Sequence, residues 1–111
     1  NINDYKNAIS YLDAFSSDDA MLGPLAKGAI GDAFVQLNQM DKALEYYQSA
    51  ASMQANEFTT PRFLLKAGIV ALETGNTAKA VAHFENITVL YPKATEAVKA
   101  KAYLSKAKAM Q

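Results

Sequence analysis

Lys27-Gly28-Ala29-Ile30-Gly31-Asp32-Ala33-Phe34 and Leu64-Leu65-Lys66-Ala67-Gly68-Ile69-Val70-Ala71 are two copies of one pattern. Counted from Gly31, the residues 3, 12, 16 and 19 places on are Phe34, Ala43, Tyr47 and Ala50. From Gly68 the same steps reach Ala71, Ala80, Phe84 and Ile87. A partial copy precedes both, with Tyr5, Ala8, Leu12 and Phe15 in register with Met40, Ala43, Tyr47 and Ala50. The spacing is 35 residues from Ala8 to Ala43 and 37 from Ala43 to Ala80. Small residues at Gly31 and Ala43, and again at Gly68 and Ala80, let two helices approach closely, while Phe34, Tyr47 and Phe84 fill the wider gaps.

The turns repeat as well. Asn38 and Gly75 occupy the same offset, and both residue types tolerate the left-handed conformation that ends a helix. Thr60-Pro61 reads as an N-cap followed by proline in the first helical position. Pro92 stops the helix before it. These signals predict helices over about 3–15, 19–37, 40–54, 61–74, 77–90 and 94–110, with Gly23-Pro24 leaving the second start at Pro24 or one kinked turn earlier. No stretch reads as a strand or a linker.

Repeat length and residue pattern resemble the tetratricopeptide repeat, a helix pair of 34 residues with a loose W-x2-L-G-x2-Y, A-x3-F, P signature. Both full copies lack the tryptophan, and only the second keeps the closing proline. The resemblance implies an all-α right-handed superhelix of antiparallel helix pairs, about six helices in one domain. Residues 1–20 would supply the second helix of an incomplete unit, 24–57 and 61–94 two repeats, and 94–111 a capping helix. Tyr5, Ile9, Leu12 and Phe15 are then expected to pack forward or against chain upstream. The segment Gln54–Thr60 runs about three residues longer than the usual connection. Ala97, Ala100, Leu104, Ala107 and Met110 form the core stripe of the last helix, backed by Lys99, Lys101, Lys106 and Lys108. A polar-backed terminal helix is what a solenoid needs to close its last exposed face.

Composition narrows the function. Eleven basic and eleven acidic residues cancel in a chain of 111, so bulk electrostatic binding to nucleic acid is not expected. The absence of cysteine removes thiolate zinc sites, disulfides and cysteine nucleophiles. Twenty-one alanines, five glycines and three prolines favour helix. No apolar run approaches the roughly 18 residues of a membrane span. The chain begins at Asn1, which reads as a piece of something longer.

Chemistry is hard to find. His83 has no second histidine to share a metal with, and is expected as an ordinary boundary residue pointing away from its paired helix. Asp18 and Asp19 are adjacent, so they do not face each other on a helix and suit the positive start of one. The phosphate-loop, dinucleotide and nucleophile-elbow motifs are absent. Asn86-Ile87-Thr88 is a glycosylation sequon inside an expected helix and reads as chance. Catalysis, cofactor, metal and small-molecule substrate are therefore not expected.

A binding surface remains. In tetratricopeptide arrays the first helix of each unit lines the concave face, where protein or peptide partners lie. The familiar carboxylate clamp would need lysine and asparagine where this chain has Gly28, Asp32, Leu65 and Ile69, so a clamp is contradicted. The groove expected instead shows Leu25, Val35, Leu65, Ile69 and Leu72, edged by Asp32, Gln36, Arg62, Lys66 and Glu73. Helix 61–74 is apolar nearly all round. Three explanations stand: a central position in a curled solenoid, a partner, or packing on chain outside this sequence. Self-assembly into a homo-oligomer is the alternative use of such a surface.

Gly31-Asp32-Ala33-Phe34, Lys42-Ala43-Leu44-Glu45-Tyr46-Tyr47, Asn56-Glu57-Phe58-Thr59-Thr60-Pro61 and Leu64-Leu65-Lys66-Ala67-Gly68 together resemble envelope-associated tetratricopeptide proteins of the ancillary SecYEG translocon subunit type. Similar proteins serve the Tol-Pal system. The resemblance implies a soluble repeat domain on the periplasmic face of a bacterial inner membrane, tethered only through an anchor outside this chain. The zero charge conceals a division. Residues 1–92 hold 6 basic and 10 acidic side chains, net −4, and residues 93–111 hold 5 and 1, net +4. Lysines near a helix C-terminus favour its dipole, and the same basic end suits a head-to-tail contact or a short basic foot near an anionic surface.

Overall fold

The computed structural model describes residues 1–14 and 22–111. Among the described residues six helices follow one another: α1 (Ile2–Ala14), α2 (Leu22–Gln36), α3 (Met40–Ser52), α4 (Thr60–Glu73), α5 (Thr77–Leu90) and α6 (Glu96–Ala109). Each packs on its neighbour in the chain, and α6 also reaches back to α4. The result is an all-α helical repeat. Expected packing of Phe15, the start near residue 19 and the Asp18-Asp19 pair fall outside the described residues.

The short turns are built alike. Asn38 has φ +57° and Gly75 φ +84°. In the first turn Asn38 N–H donates to Val35 O (2.9 Å) and Gln39 N–H to Phe34 O (2.9 Å). In the second, Gly75 N–H donates to Leu72 O (3.2 Å) and Asn76 N–H to Ala71 O (2.8 Å). One left-handed residue thus lets the chain return to the last helical carbonyls and reverse.

The small residues of the repeat sit where the aromatic ones press in. A Cβ built on Gly31 would lie 2.6 Å from the Tyr47 ring, and one on Gly68 would lie 2.5 Å from the Phe84 ring. A Cβ on Gly28 would collide with the ring of Phe63. Ala43, Ala50, Ala67, Ala71 and Ala80 are wholly buried, with no room for a larger side chain. Tyr47 stacks on Phe63 with ring centroids 6.5 Å apart, and Phe84 on Tyr103 at 5.3 Å, so the aromatic layer continues from α3 through α6.

Helix α4 is the centre of this packing. Nine of its 14 residues are buried: Thr60, Pro61, Phe63, Leu64, Ala67, Gly68, Val70, Ala71 and Leu72. Helices α3, α5 and α6 surround it, so its all-round apolar character is met by the chain's own helices. Leu72, expected on the groove face, is 8% exposed and belongs to this core. The cause is geometric: with neighbours on three sides, little of the α4 circumference is left to form a groove.

The long connection before α4 differs from expectation in detail. Thr60 does not act as an N-cap; its hydroxyl accepts the Asn56 N–H at 2.9 Å. Asn56 organises the turn before the helix, its Oδ1 accepting the N–H groups of Phe58 and Thr59, each at 2.8 Å. Its Nδ2 donates to Thr59 Oγ1 (2.7 Å) and Gln54 O (3.0 Å).

The two outer helices are less buried. Helix α1 has no buried residue, although Ile9 and Leu12 pack against the core. In α6, Ala97, Ala100 and Ala107 are buried and Leu104 partly so, while Met110, expected on that stripe, is 55% exposed. It stands beyond the last helical residue, Ala109, where the helical periodicity no longer governs it. Helix α6 also begins at Glu96, two residues after the expected start, because Ala94 N–H is engaged by Tyr91 O in a turn.

The glycine–aromatic contact predicts a coupled mutational response. Gly68→Ala should destabilise by about 1–3 kcal/mol through overpacking, and Phe84→Leu in the same chain should return part of that loss. Gly75→Ala, strained at positive φ but with open space around it, should cost roughly 1–2 kcal/mol and add independently to Phe84→Leu. Denaturant melts of the singles and doubles read the difference.

Candidate partner-binding face

The ten residues expected to form a groove come from α2 and α4. Leu25, Val35, Leu65 and Ile69 are half-buried and rest against the core. Asp32, Gln36, Arg62 and Glu73 are exposed, Lys66 is intermediate, and Leu72 is withdrawn inside. The face is therefore a shallow apolar strip, not a deep slot.

Its polar centre is a three-residue contact joining three helices. Asp32 Oδ1 accepts a hydrogen bond from the Tyr47 hydroxyl and another from Lys66 Nζ at 2.9 Å. Lys66 Nζ also lies 5.7 Å from the centre of the Tyr47 ring. Burial, the bond to Asp32 and the Asp32 charge all push the Tyr47 phenol above its ordinary range, so it remains an O–H donor. The ion pair leaves both partners partly solvated, at 34% and 50% side-chain exposure. Such pairs contribute about 0–1 kcal/mol, so this one sets geometry more than stability. Electrically it makes the middle of the face neutral.

The ends of α4 are charged the other way. Arg62 lies in the first turn, its guanidinium 5.6 Å from the Phe63 ring centre, and Glu73 is the last residue. Among the described residues neither joins an ion pair. A helix dipole favours acidic residues at its start and basic ones at its end, by about 0.3–1 kcal/mol each. Both charges sit at the unfavourable end, so the stability of α4 does not explain them.

His83 joins two repeats. Its Nε2 lies 2.9 Å from Gln48 Oε1, linking α5 to α3. It is half-buried, a boundary position, because α3 of the preceding unit packs beside it. Burial first, and the charge of Lys79 second, hold its pKa below the ordinary 6.5. No cluster of three metal-ligating side chains occurs among the described residues, and no described helix is long and apolar enough to cross a membrane.

Sequence reasoning missed a second feature, where the α3–α4 and α5–α6 connections meet. A cleft of about 440 Å³ opens there between Phe58 and Leu90, Tyr91 and Pro92, with Glu57 and Lys93 on its lining. None of the ten groove residues lines it. The extra length of 54–60 was its only sequence signal.

Residues 26–57 match one tetratricopeptide repeat profile and residues 63–94 match a second, together more than half of the chain. The protein belongs to the tetratricopeptide repeat family. Repeats of this family generally act as non-catalytic scaffolds that bind protein or peptide partners. No curated protein matches the chain.

Two predictions follow from these contacts. The unfolded chain takes up a proton on His83 near pH 6.5, while the folded chain resists until lower pH. The unfolded state thus binds more protons in that window. The contribution of neutral His83 is complete above about pH 6.5 and is lost as pH falls through the depressed folded value. His83→Gln should flatten the fall in stability between about pH 7 and pH 5, read by denaturant melts. Arg62→Gln and Glu73→Gln should each leave the melting temperature unchanged or raise it slightly, the reverse of what removing a stabilising charge does.

Proposed function

We propose that the chain is a non-catalytic scaffold that holds a protein or peptide segment along the α2–α4 face. The observation that carries this reading is the arrangement on α4. A half-buried apolar strip, Leu65 and Ile69, lies between Arg62 at one end and Glu73 at the other, both misplaced for helix stability. A partner segment fits with apolar side chains on the strip, an acidic group toward Arg62 and a basic group toward Glu73. Leu25, Val35 and Gln36 extend the strip along α2, and the Asp32–Lys66 pair fixes the distance between the two helices. The half-buried His83 is spent on a bond to Gln48, which favours a structural role for it over a catalytic one. In this reading α6 closes the end of the array, its lysines facing solvent.

The sequence resemblance extends the proposal to a bacterial envelope protein whose repeat domain works on the periplasmic side of the inner membrane. A photo-crosslinking residue at Gln36 or Glu73 tests the face in an envelope extract. Both positions should trap the same partner, whereas one at Asn7 on the exposed side of α1 should not. Leu65→Asp with Ile69→Asp should abolish trapping. If that pair unfolds the domain, the exposed changes Arg62→Glu and Glu73→Lys carry the same expectation. Trapping that survives all of these changes contradicts the groove.

A further inference from the structure

The cleft between the two long connections has the features of a self-complementary surface. Phe58 stands at its rim with 76% of its surface exposed, and Leu90 is 63% exposed. A phenylalanine so exposed on a loose loop would be unremarkable. Here the loop is fixed: the Phe58 N–H is held by Asn56 Oδ1, and Asn56 in turn is tied to Gln54, Thr59 and Thr60. Thr59 and Thr60 are themselves buried. The ring is thus presented at a set position, which lowers the ordering cost of any contact it makes.

Knob and hole are adjacent on one patch. The exposed phenyl ring forms one wall of a cleft of about 440 Å³ whose other side carries Leu90, Tyr91 and Pro92, within the size range that accepts an apolar group. The charges are also matched within the patch. Glu57 and Lys93 both line it, and among the described residues neither forms an ion pair. The third charge, Glu96, is occupied differently: it accepts the Thr95 hydroxyl at 3.2 Å and sits in the first turn of α6, where an acid is favoured.

A patch carrying both a projection and its recess, and both members of an unused charge pair, is complementary to a second copy of itself. Two-fold symmetry places residue i against j and j against i in one operation. We propose that this patch is a two-fold interface between copies of the chain. Phe58 of each copy enters the cleft of the other beside Leu90 and Tyr91, and Glu57 of each faces Lys93 of the other. The patch shares no residue with the ten of the α2–α4 face.

Sedimentation equilibrium of the full 111-residue chain, from about 5 μM to about 500 μM at low salt, tests the proposal. A concentration-dependent monomer–dimer equilibrium is expected. Phe58→Ser should abolish it without lowering the melting temperature, because the ring is exposed. Glu57→Lys and Lys93→Glu should each weaken dimerisation about tenfold or more by juxtaposing like charges. The double swap, Glu57→Lys with Lys93→Glu, should recover most of the wild-type affinity. A chain that stays monomeric throughout overturns the interface. So does a dimer indifferent to Phe58, a swap that fails to restore association, or growth beyond the dimer.

Discussion

The close approach of helices at Gly31 and Gly68 is the constraint on which the rest of the structure depends. At each glycine an aromatic ring from the following helix occupies the space where a Cβ would be, Tyr47 in one unit and Phe84 in the next. A side chain there separates the pair, and the next helix loses its seat. Phe63 illustrates the chain of consequence. It lies against Gly28 on one side and stacks on Tyr47 on the other, so α4 is positioned by the unit before it. Phe84, seated against Gly68, then stacks on Tyr103 and positions α6. The order of the array is transmitted by rings pressed into glycines.

This packing also decides which part of α4 stays accessible. Helix α4 is enclosed by α3, α5 and α6, and only the strip around Leu65, Lys66 and Ile69 remains partly accessible. Two polar contacts bridge the two full repeats, each weak individually: Asp32 with Lys66 and His83 with Gln48. Their use is registration. Each joins residues 34 or 35 positions apart along the chain, nearly one repeat, and each loses its geometry if one unit slides on the next. Arg62 and Glu73, which join no ion pair among the described residues, are exposed at the two ends of α4.

Much of the architecture was legible because it rests on local chemistry. The reversals at Asn38 and Gly75 require left-handed residues, and the residue types announce them. The spacing of Gly31 to Tyr47 and of Gly68 to Phe84 states which positions are small and which are bulky. Burial of Leu72 was not legible: periodicity places it on a face but does not say how many helices pack around α4. Nor was the role of Asn56, since its side chain bonds across two and three residues in a connection that the repeat pattern leaves undefined. His83 and Gln48 meet only because two units stack, and nothing in either neighbourhood marks them. The cleft at Phe58 has the same origin, being formed by two connections 35 residues apart with no shared motif. Contacts within a unit are written in spacing; contacts between connections arise from how units pile up.

Native-state hydrogen exchange tests most directly the claim that ring-into-glycine packing around α4 holds the array together. The amides of Leu64, Ala67, Val70 and Ala71 should exchange only through global unfolding, with the facing amides of α3 and α5 opening in the same cooperative unit. Those of α1, which has no buried residue, should exchange faster by orders of magnitude. If the α4 amides exchange as fast as those of α1, or open before α3 and α5 do, the helix is not the centre of the structure and the account is wrong.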